Sequence, residues 1–404
     1  MEKTKVAVVK SREKPSEKQI DTTVRKAVEL AGGLTDIIRR GDTVIIKPNL
    51  VVAKPPEAGA TTDPRVCKTI CDIVRDLGGN PIIAESSFVG LDTEEAIQAT
   101  GYGELRKEGY EVIDLKKKDI ETVKVSIPGG KALKEVHLPK IVFEANAIIS
   151  VPKMKTHDQA EVTLALKNMK GVLPDAYKRK FHHIFGVFQS VADLMTVMKP
   201  AFSIVDGIIA MNGLGPAFGD PIELDLIIAG KDAVAVDAVT AKIMGFKPQE
   251  CGCVREAAES KIGIIDLDKI EVVGEPITKV QRRFQRAEEA VMEKVSFPKG
   301  FRVIISEKAC TGCRNQILSS LFDLKEAGLL DKAAGWTVVS GKNLKLPSAP
   351  REKLLLVGAC LSPFKKEANF VEGCPPNSRD IISGLGIAKT VGMVDIDALE
   401  AEGV

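Results

Sequence analysis

The chain has 404 residues, with 57 Lys and Arg against 55 Asp and Glu, and a formal net charge of +2. This length predicts two or three domains with sizeable cores. The charge balance and the 4% aromatic content argue against a nucleic-acid partner. No apolar stretch reaches the roughly 18 residues of a membrane span, so we expect no membrane insertion. Because the start has no apolar signal region, we expect a cytoplasmic protein in a reducing compartment.

Apolar, β-branched runs alternate with helical patterns along the first 277 residues. The runs predicted to be strands are 6–10, 43–50, 81–86, 111–115, 147–153, 202–210, 225–230 and 269–274. The segments predicted to be helices are 19–39, 64–77 and 232–245. The second helix has Asp63 as its expected N-cap and Pro64 in its first turn. This alternation predicts an α/β fold with a mainly parallel sheet flanked by helices.

A charged segment divides the chain into two predicted domains. The sequence TKVQRRFQRAEEAVMEKV predicts a helix over 278–295, within a linker that spans 278–299. Residues 1–277 form the larger predicted domain. A second alternation of strands and helices over 300–404 predicts a smaller C-terminal α/β domain. Its predicted helices are 314–328 and one after Pro376, and its predicted strands are the run FRVIISEKAC and residues 336–341 and 353–360.

Polar side chains gather where the predicted strands of the larger domain end. Ligands of open α/β sheets bind beyond the carboxyl ends of the strands. The densest polar stretch is 151–171, VPKMKTHDQAEVTLALKNMKG, and a helix over 159–170 would place Thr163, Lys167 and Lys170 on one face. The cationic groups of this stretch are Lys153, Lys155, His157, Lys167 and Lys170. They predict a pocket for a carboxylate or phosphate, and the alternative is a solvated charged face.

Histidines are concentrated in the same part of the chain. Of four histidines, His157, His182 and His183 fall within 27 residues of one another. Such clustering favours acid–base or metal chemistry. We therefore predict these three and Lys155 as catalytic candidates, with His157 as a proton donor. A hydrogen-bonded loop histidine is the alternative for His157.

Four of the eight cysteines each follow a predicted strand in the C-terminal domain. They are Cys310, Cys313, Cys360 and Cys374. Thiolates at strand ends can converge on one point, which suits zinc or an iron–sulfur cluster. Zinc sites usually pair two CxxC motifs and this chain has one, which counts against zinc, and unrelated reduced thiols are a further alternative. The other cysteines, at 67, 71, 251 and 253, are expected in the core, with a second cluster as a minor alternative.

The cysteine motifs CTGC, GAC and GCPPN resemble the proximal-cluster pattern of nickel–iron hydrogenase small subunits and of the matching subunit of respiratory complex I. This resemblance covers about the last quarter of the chain. It implies that the four cysteines hold a [4Fe–4S] cluster that transfers electrons, in preference to zinc, and that the protein has a redox partner protein. A homodimer is a further expectation.

Motifs along the first 275 residues resemble the family called domain of unknown function 362. They include KPNL, VPKMKTH, LALKNMKG and IVDGIIAMNGLGP. The resemblance implies an iron–sulfur protein, since many members of that family are thought to be of this kind. It also implies that the family's recurrent polar residues fall on Lys47, Asn49, Glu85, Lys153, Lys155, His157, Lys167, Asn168, Lys170, His182 or His183, and Asp206.

Together these features predict an iron–sulfur oxidoreductase that passes electrons through a [4Fe–4S] cluster to an anionic small molecule or cofactor. One alternative is a non-redox metal-dependent lyase or isomerase with a structural cluster. By distant analogy to lactate-racemase-like enzymes, its histidines could hold a nickel-type cofactor. Another alternative is an electron-transfer or maturation partner without chemistry of its own.

Overall fold

The computed structural model describes residues 3–181, 185–294, 296–306, 309, 311–342, 344–376 and 378–387. The strands are β1 (Thr4–Lys10), β2 (Thr43–Lys47), β3 (Asn80–Glu85), β4 (Glu111–Asp114), β5 (Thr122–Ser126), β6 (Glu135–Pro139), β7 (Ala147–Ser150), β8 (Lys153–His157), β9 (Glu161–Thr163), β10 (Phe202–Asn212), β11 (Asp220–Gly230), β12 (Ile270–Gly274), β13 (Arg302–Ile305), β14 (Thr337–Ser340), β15 (Leu354–Val357) and β16 (Asn369–Val371). The helices are α1 (Glu17–Leu30), α2 (Pro64–Asp76), α3 (Thr93–Ala99), α4 (Tyr102–Lys107), α5 (Lys140–Phe143), α6 (Ala165–Asn168), α7 (Asp175–Lys180), α8 (Val187–Met195), α9 (Ala233–Ile243), α10 (Gly252–Glu259), α11 (Ile277–Val280), α12 (Ala287–Lys294), α13 (Thr311–Glu326) and α14 (Ser378–Gly384). None of the helices in these described ranges combines the length and the apolar character that a membrane-spanning helix requires.

Ten strands form one large sheet, with the path β12-β1-β11-β10-β7-β2-β3-β4 and with β8 and β9 extending from β10. Strands β7, β2, β3 and β4 are parallel neighbours, whereas β11 runs antiparallel to β1 and β10. Side chains alternate between two apolar cores, so Val8 packs into one core and Val9 into the other. The predicted fold, a mainly parallel sheet flanked by helices, is confirmed.

Four buried cysteines outside the C-terminal region lie on opposite faces of this sheet. Cys67 and Cys71 of α2 pack in one core, and Cys251 and Cys253 pack in the other. None of the four is more than 3% exposed. The predicted core packing is confirmed, and a second cluster built from all four is excluded because the sheet separates the two pairs.

The C-terminal part contains a smaller sheet of four parallel strands, in the order β13-β14-β15-β16. Helices α13 and α14 pack with it around Ile317, Leu321 and Ile381. The predicted smaller C-terminal α/β unit therefore has its own parallel sheet and its own core.

The charged segment before it is not a single helix, and the predicted helix over 278–295 is wrong. Helices α11 and α12 are separated by the stretch 281–286. In that stretch the N–H of Arg282 donates to the carbonyl of Ile243 at 2.8 Å, and the N–H of Phe284 donates to the carbonyl of Met244 at 2.9 Å. Phe284 is 2% exposed. Burial of this ring and hydrogen bonds to the end of α9 replace the helical hydrogen bonds.

Candidate functional site

A cavity of about 90 Å³ lies beyond the carboxyl ends of β2 and β3, where Lys47 and Glu85 end these strands. This is the edge at which open α/β sheets bind ligands, and the volume admits a group of several heavy atoms. Its lining residues are Lys47, Asn49, Val51, Glu85, Ser86, Ser87, Phe88, Lys155, His157, Thr163, Lys167, Asn168, Lys170, Gly171, Lys178 and Pro216.

Most of the site residues predicted from sequence meet at this cavity. Those that line it are Lys47, Asn49, Glu85, Lys155, His157, Lys167, Asn168 and Lys170. Lys153 and Asp206 pair with each other in the core and do not line it. His182 and His183 lie outside the described residues, so their predicted catalytic role stays a prediction.

The stretch 151–171 folds differently from the predicted helix over 159–170. Residues 153–157 form strand β8, and the chain returns as β9 before α6 begins at Ala165. Alternation along β8 places Lys155 and His157 on the same side, facing the cavity. Glu161 has a φ of +56°, a left-handed conformation that a helix excludes.

The start of α6 is fixed by a carboxylate from another helix. Asp237 of α9 accepts hydrogen bonds from the N–H groups of Ala165 and Leu166, at 2.7 and 3.0 Å. Burial raises the pKa of Asp237 to about 7, and the two N–H donors oppose that shift. This contact between sequence-distant elements orients Lys167 and Asn168 toward the cavity.

Lys47 and Glu85 form a buried ion pair at the base of the cavity. Lys47 Nζ lies 2.9 Å from Glu85 Oε2, and the two side chains are 1% and 4% exposed. Glu85 also accepts hydrogen bonds from the N–H groups of Leu50 and Ser86. Lys47 Nζ donates to the carbonyl of Pro48 at 2.6 Å. Both charges are therefore compensated inside the protein and hold the strand ends together.

A second network holds Lys155. Its Nζ donates to Asn49 Oδ1 at 2.9 Å, to the carbonyl of Ala60 at 2.6 Å and to the carbonyl of Pro216 at 3.2 Å. Asn49 donates in turn to Asn168 Oδ1 at 3.1 Å. Three acceptors saturate the three N–H groups of an ammonium, so Lys155 serves to position the cavity wall. Its predicted catalytic role is not favoured by this geometry.

Lys167 and Lys170 differ from the other lysines of the cavity. Neither makes a hydrogen bond or ion pair with the described part of the chain, although Lys167 is only 9% exposed. Burial lowers the pKa of Lys167 to about 8. Burial, and then the charge of Lys167, also lower the pKa of Lys170. Thr163 Oγ1 is buried nearby and has no hydrogen-bond partner among the described residues. Two amino groups and a hydroxyl therefore face the cavity and can form hydrogen bonds with a ligand.

His157 is a buried imidazole at the same wall. Burial first, and then the charge of Lys167, lower the pKa of His157 to about 4. Its Nδ1 donates a hydrogen bond to Asp158 Oδ1 at 2.8 Å, which makes Nε2 the unprotonated nitrogen of the neutral ring, and the backbone N of Gln159 lies 2.9 Å from the same Nδ1. A histidine with this pKa is neutral at pH 7, which suits a proton acceptor better than the proton donor predicted from sequence.

Lys178 and the Ser86–Ser87 pair are lining residues that the sequence prediction missed. Lys178 Nζ donates to the carbonyls of Ser86 and Ser87, at 2.6 and 2.8 Å. The sequence carried a signal for both, because the serines directly follow the end of β3 and Lys178 lies in a basic stretch. Only the fold places that stretch over β3.

Three of the four predicted cluster cysteines lie in described segments at the carboxyl edge of the small sheet. Cys313 is buried on α13, Cys360 follows β15 and Cys374 follows β16. The N–H of Ala359 donates to the carbonyl of Gly373 at 2.8 Å, so two of these segments touch. A Cβ added at Gly358 would lie 2.8 Å from Cys313 Sγ.

The absence of a side chain at Gly358 therefore lets the backbone approach the Cys313 thiol closely. Among the described residues, no three His, Cys, Asp or Glu side chains are close enough together to hold a metal ion. Cys310, the remaining predicted ligand, lies outside those residues.

The cavity wall contacts the helix that carries Cys313. Ser319 Oγ of α13 donates to Asp158 Oδ2 at 3.2 Å, and Gln159 Nε2 lies 3.5 Å from Ser319 Oγ. Ser319 is six residues from Cys313, about 9 Å of helix rise. The loop that follows His157 is thus joined to the cysteine-bearing helix by direct hydrogen bonds.

Comparison with known proteins places this cavity within a recognised domain. Residues 44–242 match the family described as Domain of unknown function (DUF362). The resemblance expected from the motifs is confirmed over this range, which includes the cavity. The chain is 29% identical over 255 residues to the thylakoid-associated protein sll1697 of Synechocystis sp. (strain ATCC 27184 / PCC 6803 / Kazusa), covering 60% of this chain and 74% of that protein. The lactate racemase apoprotein from Thermoanaerobacterium thermosaccharolyticum aligns with a TM-score of 0.40 and 12% identity, over 83% of this chain and 69% of that one.

Proposed function

We propose that the protein binds a small carboxylate or phosphate in the cavity and exchanges single electrons with it through a [4Fe–4S] cluster on the C-terminal cysteines. The observation that carries this proposal is the pair Lys167 and Lys170, two basic side chains that face one small cavity without a protein partner among the described residues. A bound anion would supply the compensating charge that the protein does not.

Different side chains of the cavity would bind such a ligand and accept a proton from it. Lys170 would hold its anionic oxygens, Lys167 would contact it from the same side of the cavity, and the Thr163 hydroxyl would donate a further hydrogen bond. Neutral His157 would accept a proton from the ligand, with Asp158 beside its Nδ1 stabilising the charge that it gains. The ion pair of Lys47 and Glu85 would keep the cavity floor rigid.

A thiolate-ligated cluster, when bound, would supply one-electron chemistry. The close approach of the Gly358 backbone to Cys313 Sγ supports this part of the proposal, as does the hydrogen bond between Ser319 and Asp158. Electron exchange would also require a redox partner protein and a reducing compartment, for which we propose the cytoplasm.

Anion binding is tested by isothermal titration calorimetry with inorganic phosphate and with acetate. A hydrogen bond to a charged group contributes about 1.5–3 kcal/mol, so Lys170→Gln is expected to weaken binding roughly 10- to 100-fold. Lys118→Gln is the matched control, because Lys118 is exposed and does not line the cavity. Equal affinities in the wild type and in Lys170→Gln would contradict the proposal.

A second candidate is a non-redox lyase or isomerase in which the cluster is structural. The neutral, buried state of His157 favours it, because a base next to an anion site is the arrangement needed to abstract a proton. The redox candidate needs an electron donor or acceptor, whereas a lyase or isomerase does not. Product formation without any added electron donor or acceptor would therefore support the lyase or isomerase.

A further inference from the structure

The lysines around the cavity fall into two groups by what their amino groups contact. Lys155 donates to three acceptors, Lys178 donates to the carbonyls of Ser86 and Ser87 and to Ser86 Oγ, and Lys47 is paired with Glu85. Burial lowers the pKa of Lys178 to about 7 and that of Lys155 well below its usual range. With three protein acceptors around each of these two nitrogens, neither presents a lone pair to a ligand in the cavity, whichever its charge state.

Lys167 and Lys170 have no such acceptors in the described part of the chain. Burial lowers the pKa of Lys167 against the opposing charges of Cys253 and Asp158, and burial followed by the charge of Lys167 lowers the pKa of Lys170. The pKa of Lys167 is about 8. Roughly a tenth of it is therefore a free amine at pH 7, compared with well under one in a thousand for an exposed lysine.

The two amino groups differ in their surroundings. After burial, the charge of Lys167 lowers the pKa of His157 more than the charge of Lys170 does. Lys167 is therefore the lysine that interacts more strongly with the neutral imidazole. Lys170 is the less buried of the two, and its pKa is lowered first by burial and then by the charges of Lys167 and Lys178. A carboxylate that contacts Lys170 would offset those charges and restore its ammonium form.

We propose that Lys167 is a nucleophilic amine that forms an imine with the carbonyl group of a small 2-oxo carboxylate held by Lys170. This inference rests on the proposed function, because it names the ligand class of the same cavity. The Lys167 Nζ–carbon bond forms while the carbonyl carbon–oxygen bond breaks. The two amine hydrogens leave with that oxygen as water, and His157 relays protons from the Lys167 nitrogen to the departing oxygen. No oxidant or reductant is required.

The test is reductive trapping on the full-length protein. Glyoxylate, the smallest 2-oxo carboxylate, is added with sodium cyanoborohydride at pH 7, and modified lysines are located by peptide mass spectrometry. The expected result is a secondary amine at Lys167 with an occupancy about tenfold or more above that of exposed Lys118. Lys167→Arg, which keeps the charge, is expected to abolish that adduct and leave the others unchanged.

Peptide mass spectrometry of the wild-type protein locates the adduct even if Lys167→Arg does not fold. Glycolate, which has the carboxylate but no carbonyl, is titrated by calorimetry in parallel. If glycolate binds and glyoxylate leaves Lys167 no more modified than Lys118, the imine inference is overturned while the anion site stands. If neither glycolate nor inorganic phosphate binds, the proposed function itself is overturned. Trapping that moves mainly to Lys170 would also overturn the assignment of Lys167.

Discussion

Replacing Asp206 by alanine is expected to lower the free energy of unfolding by about 3–5 kcal/mol. Asp206 Oδ2 lies 2.8 Å from Lys153 Nζ, and the two side chains are 0% and 1% exposed. The same oxygen accepts the N–H of Asp63, the N-cap residue of α2, and Oδ1 accepts the N–H of Ile208. The variant would leave a buried ammonium and two N–H groups without acceptors. Urea denaturation followed by circular dichroism measures the loss.

A matched control and a rescue variant separate the effect of charge from that of general disruption. Glu135 forms an exposed ion pair with Lys124, and Glu135→Ala is expected to cost about 0–1 kcal/mol. Adding Lys153→Met to Asp206→Ala is expected to restore much of the stability, because it removes the uncompensated charge. If Asp206→Ala costs no more than Glu135→Ala, the buried pair does not hold β8 against β10.

Replacing Cys374 by serine is expected to remove the iron and the visible absorbance of anaerobically purified protein. Wild-type protein is expected to carry about four iron and four sulfide ions per chain and to bleach with dithionite, as a [4Fe–4S] cluster does. Cys374 is exposed, so the substitution itself disturbs little packing. Iron analysis, visible spectroscopy and electron paramagnetic resonance measure the change.

Cys71→Ala is the control, since Cys71 is buried in the core of the large sheet on α2. It is expected to retain full iron content, and Cys360→Ser is expected to behave like Cys374→Ser. A colourless wild-type protein with one zinc ion per chain would exclude the cluster. Full iron content in Cys374→Ser, equal to that of Cys71→Ala, would exclude Cys374 as a ligand of the cluster.

Local signals in the sequence predicted the elements whose ends are decided by short-range chemistry. Helix α2 begins at Pro64, as predicted with Asp63 as its N-cap, because the Asp63 carboxylate accepts a hydrogen bond from the N–H of Arg65 at 2.9 Å. The same holds for α9, which begins after its N-cap, Asp232. The predictions were wrong where distant contacts decide the backbone. Phe284 is buried against α9 and interrupts the predicted linker helix, and Asp237 fixes the start of α6.

The order of the elements in the sequence was sufficient to predict the α/β class, and the polar residues that follow the strands predicted most of the side chains that line the cavity. Residue type and strand position carry that information, because charged side chains at the carboxyl ends of parallel strands must meet at one edge. Which partners each lysine contacts follows only from the tertiary structure. Lys155 and Lys167 look alike in sequence, yet Lys155 donates to acceptors from three other segments and Lys167 has none in the described chain. Partners of that kind come from residues far away along the chain, so charge compensation, and with it the reactivity of each amino group, exists only once the fold has formed.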